Sequence, residues 1–122
     1  MDVKRCLDTY ALMEIAQQNP EFEVYLDVDF VITDITLAEF YGVILRVYDE
    51  KTAEYWFRKL EGYAVSVSKE ILKEAVKFRH ENRKANISFF DAVGYVFSLV
   101  SGYYFVTGDK EFKGLKNVEF KK

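Results

Sequence analysis

Between Ile87 and Val106 the chain runs for 20 residues with one charged side chain, Asp91, and no other stretch restricts the fold as strongly. A segment of that length and polarity could span a bilayer. Three serines interrupt it, however, and Ser101-Gly102 supplies a helix stop ahead of the aromatic and β-branched run Tyr103 to Thr107. The stretch therefore predicts a helix from a Ser88 cap to about Ser101, apolar nearly all round and so at the centre of the fold, followed by a buried strand. No membrane association is expected. A charged residue inside such a core segment is costly unless paired, hydrogen-bonded or placed on a metal, which makes Asp91 the first candidate functional residue.

The rest of the chain repeats the same alternation of strand and helix. Val3 to Leu7 leads to Asp8 and then to a helix-compatible stretch, Tyr10 to Gln18, stopped by Asn19-Pro20. Phe30 to Ile35 is a β-branched run, and from Thr36 onward Leu37, Phe40, Tyr41, Ile44, Leu45 and Tyr48 recur at helical spacing. Thr36 and Glu39 match a capping box. Thr52 is the expected cap of a shorter helix carrying Ala53, Trp56, Phe57 and Leu60, ended by Gly62. Ala64 to Val67 reads as a strand, Ser68 opens a water-facing helix, and Asn117 to Phe120 reads as a short edge strand. Strands alternating with helices imply an α/β sheet joined by parallel crossovers. At 122 residues, with half of them hydrophobic and one proline, the expectation is one domain over residues 1–122 without a linker.

Four acids stand where this pattern surfaces. Asp8 and Asp109 follow strands directly, while Glu39 and Asp91 are expected in the first turns of helices. In an open parallel sheet, residues remote in sequence converge at the carboxyl ends of the strands. Each acid alone has an ordinary explanation as a helix-dipole or turn residue. Four together require cations. All-oxygen ligation suits Mg²⁺ or Mn²⁺, and the single Cys6 and single His80 exclude a structural zinc site. Hydrolysis of phosphodiesters is the chemistry that paired hard cations support. A net charge of −3 excludes a protein that coats nucleic acid by charge alone but leaves a metal-dependent nuclease open.

Leu7-Asp8-Thr9, Thr36-Leu37-Ala38-Glu39, Ile87-Ser88-Phe89-Phe90-Asp91-Ala92-Val93 and Val106-Thr107-Gly108-Asp109-Lys110-Glu111-Phe112 resemble, in this order, the motifs of PIN-domain nucleases, most closely the small prokaryotic VapC-type toxins. The resemblance covers the whole chain. It implies a three-layer α/β/α PIN-like domain with a central, mostly parallel sheet, and Mg²⁺- or Mn²⁺-dependent endoribonuclease activity. Asp8, Glu39, Asp91 and Asp109 would be the acidic catalytic and metal-binding set, with Thr107 orienting a carboxylate or a ligand water. It also implies a homodimer and a small cognate antitoxin. Two residues depart from the motifs: Tyr10, which could narrow the cleft, and Phe90, where many relatives have proline.

Arg79, Arg83, Lys84 and Lys110 are the sequence-local cations nearest the acids and are candidate RNA contacts. A reducing cytoplasm is the expected location, given one cysteine and no apolar leader. The competing reading is a non-catalytic PIN-like binding module for RNA or protein. Asp27-Val28-Asp29 superficially matches a phosphatase signature, but its acids precede a strand instead of following one. Cys6 in a strand and His80 in a charged stretch read as a buried thiol and a surface histidine.

Overall fold

A computed structural model describes residues 3–122. Five strands form one sheet: β1 (Arg5–Leu7), β2 (Phe30–Thr33), β3 (Ala64–Val65), β4 (Tyr104–Thr107) and β5 (Val118–Phe120). Their order is β3-β2-β1-β4-β5 and every pairing is parallel. Six α-helices accompany them: α1 (Thr9–Ala16), α2 (Pro20–Glu23), α3 (Asp34–Val47), α4 (Glu50–Leu60), α5 (Lys69–Glu81) and α6 (Phe89–Ser101). The strand order reverses at β1, which pairs β2 on one side and β4 on the other, so the crevice between the carboxyl ends of β1 and β4 is the topological switch point.

The two-residue period of the strands sends alternate side chains into two cores. Leu7, Phe30, Ile32 and Val106 face one core with Leu12, Leu37, Phe40 and Ile44 of α1 and α3. Cys6, Phe105 and the half-buried Val31 face the other, with Val93, Tyr95 and Val96 of α6 and Ala75 of α5. Three layers, helices on both faces of a parallel sheet, follow directly. The uncharged stretch resolves as anticipated into a 13-residue helix and a strand, and among the described residues no helix is long and apolar enough to cross a membrane.

Helix termini account for the differences from the sequence-based expectation. Thr33, not Thr36, caps α3, its hydroxyl accepting from the Thr36 N–H at 3.0 Å. The helix thus starts three residues earlier than a Thr36 cap implies and Glu39 lies in its second turn. Asp49 replaces Thr52 as the cap of α4, accepting from Thr52 N–H at 2.8 Å. A hydroxyl or carboxylate three residues upstream competes for the same orphan N–H groups, and sequence spacing alone does not choose between them. α1 ends at Ala16, ahead of the expected Asn19-Pro20 break, with Gln18 at a left-handed φ of 62°, and Pro20 is the first residue of α2, a position where its missing N–H costs nothing. The Ser88 and Ser68 caps and the Gly102 stop are as expected, Gly102 taking the left-handed φ of 75° that glycine adopts without strain.

Gly94 lets α6 lie close on the sheet: a Cβ there would come within 2.7 Å of the fully buried Phe105 ring. Gly94→Ala should therefore lower stability by about 1–3 kcal/mol through overpacking, outweighing the roughly 1 kcal/mol that alanine gains over glycine in a helix. Chemical denaturation measures the sign, and a more stable variant would contradict the packing described.

Candidate functional site

Asp8 leaves β1 at the switch point and becomes the cap of α1. Its backbone N–H donates to Val106 O at 3.1 Å, continuing the β1–β4 ladder by one residue, and its Oδ1 accepts from Ala11 N–H at 2.8 Å. It is 2% exposed. Thr107 ends β4 beside it, fully buried; its hydroxyl accepts from Asp109 N–H at 3.1 Å and lowers the proton affinity of the neighbouring Asp8 carboxyl. One threonine side chain thus acts on two of the four acids.

Asp109 caps a 3₁₀ turn, Lys110–Phe112, accepting from Glu111 N–H at 3.0 Å. That turn is anchored from below by Phe112, fully buried against Phe105 and Tyr95, each with ring centroids 5.3 Å away. Tyr10 packs its ring over Gly108, where a Cβ would lie 2.6 Å from it, and meets Phe22 edge-on. The tyrosine therefore buttresses the loop carrying Asp109.

Glu39 reaches the site from the second turn of α3 and accepts a short hydrogen bond from the Thr9 hydroxyl. Thr9 is a positioning residue that the sequence reading did not single out; its place immediately after Asp8 was the available signal. Asp91 lies in the first turn of α6, where its N–H donates to Ser88 Oγ at 3.1 Å.

Electrostatics shows that the four acids have been brought together. Burial is the largest cause raising Asp91, to about 8, followed by repulsion from Asp8, Glu39 and Asp109; the Ser88 hydroxyl opposes it. Burial also leads in raising Asp8, to about 7, opposed by the bonds from Thr107 and Ala11 and reinforced by Asp109 and Glu39. Among the described residues, no three His, Cys, Asp or Glu side chains form a ready-made metal cage. The donor chemistry fits a hard cation nonetheless: the donors are all oxygen, Asp8 is buried and Asp91 half-buried with no cationic partner among the causes acting on them, and Mg²⁺ takes only one or two carboxylates with water and phosphate oxygens completing its shell.

The cations identified in the sequence lie apart from this cluster in their bonding. Arg79 Nε donates to Ile87 O at 3.0 Å and Arg83 Nη1 to His80 O at 2.9 Å, so both tie the turn between α5 and α6. Lys84 and Lys110 are exposed. Asp34 is exposed at the start of α3. Cys6 is fully buried, and burial pushes its thiol up to about 12, so it stays protonated.

Open parallel α/β sheets form a class of proteins whose ligand crevice lies at the switch point, and here the acids stand at it. The chain belongs to the PIN domain family, whose model matches residues 5–118. No curated protein matches it in sequence. Solved structures that it resembles include the Sarcin-Ricin loop cleaving toxin VapC20 of Mycobacterium tuberculosis, at 13% identity and TM-score 0.79, over 97% of this chain and 99% of that one. VapBC2 of Rickettsia felis, bound to a promoter DNA fragment, gives 16% and 0.79, over 98% and 100%. A toxin–antitoxin complex from Klebsiella pneumoniae gives 18% and 0.74, over 94% and 95%. At such identities the likeness establishes the fold.

Mutual repulsion has a measurable signature. The Asp8 and Asp91 carboxyls ionise at higher pH folded than unfolded, so the folded chain holds more protons between pH 4 and 8, and stability falls as pH rises through that window. Metal-free protein in EDTA should melt lower at pH 8 than at pH 5, and Asp91→Asn should flatten the difference. A melting temperature that rises between those two pH values would show that the carboxylates are not crowded.

Proposed function

We propose that this chain is an Mg²⁺- or Mn²⁺-dependent endoribonuclease acting as the toxin of a toxin–antitoxin pair. The observation that carries the proposal is the proximity of Asp8, Glu39, Asp91 and Asp109 at the switch point, where burial first and the neighbouring acids second raise the buried Asp8 and the half-buried Asp91. Membership of the PIN family and the resemblance to VapC20, described as a toxin that cleaves the Sarcin-Ricin loop, support the reaction class.

In this reading the four carboxylates hold the cation, which when bound supplies a Lewis acid for an in-line displacement at phosphorus. The chain's own contribution is position. Thr107 and the Ala11 N–H favour the ionised form of Asp8 against its burial, Thr9 steadies Glu39, and Ser88 accepts from the Asp91 N–H. Water adds to phosphorus, one P–O bond breaks, and the proton passes to the leaving oxygen. Arg79, Arg83, Lys84 and Lys110 supplement the RNA contacts from the rim.

A homodimer and a small antitoxin complete the proposal, in the cytoplasm where the RNA is found. The toxin–antitoxin complexes among the similar structures support an antitoxin partner. Of the aromatic residues on α3 and α4, Tyr41, Trp56 and Phe57 pack against the core, whereas Tyr48 and Tyr55 are about half exposed and offer contact surface.

Asp8→Asn and Asp91→Asn should each abolish metal-dependent RNA cleavage, with losses exceeding the 10–100-fold typical of residues that only support ligands. Asparagine still caps a helix, so α1 survives the first change. Cleavage assays with Mg²⁺, Mn²⁺ and EDTA test this: wild-type activity in either variant would remove the site assignment, and absence of metal-dependent cleavage by the unaltered chain would favour a binding module.

A further inference from the structure

A groove leaves the acidic cluster along one face of α3. It is lined by Ala38, Glu39, Gly42, Val43, Arg46 and Phe90, has a volume of about 400 Å³, and begins at Glu39 itself. Positions 39, 42, 43 and 46 share a helix face, and the helix rises about 10 Å from Glu39 to Arg46.

Three features of this groove are unexplained by folding. Phe90 is half-buried yet belongs to neither hydrophobic core, although it adjoins Asp91. Gly42 lies inside α3, where glycine costs roughly 0.5–1 kcal/mol relative to alanine, yet a Cβ there would meet nothing within 4 Å. No backbone need or close approach accounts for it; what it leaves is open space on the groove floor. Arg46 is exposed and forms no ion pair among the described residues. A last-turn arginine favours the α3 dipole, but that accounts for neither Phe90 nor Gly42.

Resting on the nuclease reading, we propose that this groove is a nucleotide subsite for single-stranded RNA. A base flanking the scissile phosphate stacks on Phe90 above the space left by Gly42, and Arg46 takes a neighbouring phosphate. The chemistry matches the need: an acidic cleft repels a polyanion, so a cation and a π-face outside the cluster supply the hold. Stacking on a side chain requires an unstacked base, which selects loops and single strands over duplex.

The test uses a fluorescein-labelled single-stranded RNA decamer with Mg²⁺ and the full chain carrying Asp8→Asn, so that binding is read without cleavage. Adding Phe90→Leu, which keeps bulk and loses the ring, should weaken binding by about 5- to 150-fold, the range for one stacked base. Phe90→Trp should retain affinity. Arg46→Ala should flatten the salt slope by about 0.7, the loss of one single-strand phosphate contact. Gly42→Leu should weaken binding while leaving the melting temperature equal or higher, because its Cβ meets nothing within 4 Å, the side chain enters the groove, and leucine favours a helix over glycine. A fully paired RNA duplex should be indifferent to Phe90→Leu.

Unchanged decamer affinity in both Phe90→Leu and Gly42→Leu overturns the subsite, as does absence of RNA binding before these changes, and equal sensitivity of the duplex overturns the stacking. Failure of the subsite leaves the nuclease reading intact if Asp91→Asn still abolishes cleavage. Failure of the nuclease reading appears separately, as absence of metal-dependent RNA cleavage by the unaltered chain.

Discussion

The parallel pairing of β1 with β4 is the interaction on which everything else depends. It sets Leu7 opposite Val106, extends by one bond to Asp8 N–H, and so places Asp8 beside Thr107 at the point where the sheet reverses its order. A slip of one residue would turn Cys6 and Phe105 into the wrong core and carry Asp8 to the opposite face. The hydrophobic alternation of two short strands therefore holds the geometry of the acidic cluster. Burial of Phe112 and the close approach at Gly94 keep the second half of that pairing from shifting.

The cluster opposes the fold that creates it. Like charges in a crevice of low polarity raise one another's proton affinity, and the hydroxyls of Thr107, Thr9 and Ser88 offset only part of that cost. No buried side-chain nitrogen or oxygen among the described residues lacks a hydrogen-bond partner, so what remains uncompensated is charge, not hydrogen bonding. A core this thoroughly packed can carry such a site, and cations at the cluster would relieve it.

The carboxylates are legible in the sequence because each stands where an apolar run stops, and the all-parallel order follows from alternating strand and helix signals. Asp91 is conspicuous as the single charge in a central helix. The start of α3 is less legible: Thr33 and Thr36 carry equivalent hydroxyls, and only the end of β2 decides that Thr33 is the cap. The role of Thr9 is likewise settled by tertiary proximity to Glu39, 30 residues away. The turns at Pro20–Glu23 and Val24–Asp27 escape periodicity because each is a single short helix held by Phe22 and Tyr25 in the core. Groove residues such as Gly42 give no sequence signal, since their meaning lies in the space around them.

The chain order of the sheet also governs when the crevice comes into being. β1 emerges early, but its second neighbour, β4, and Asp109 beyond it follow about a hundred residues later, a delay of roughly 5–20 s at ordinary rates of synthesis. Until then β1 has one bare edge and Asp8 has neither Thr107 nor Asp109 beside it. A nascent chain therefore passes the ribosome's own RNA with its four carboxylates still unassembled.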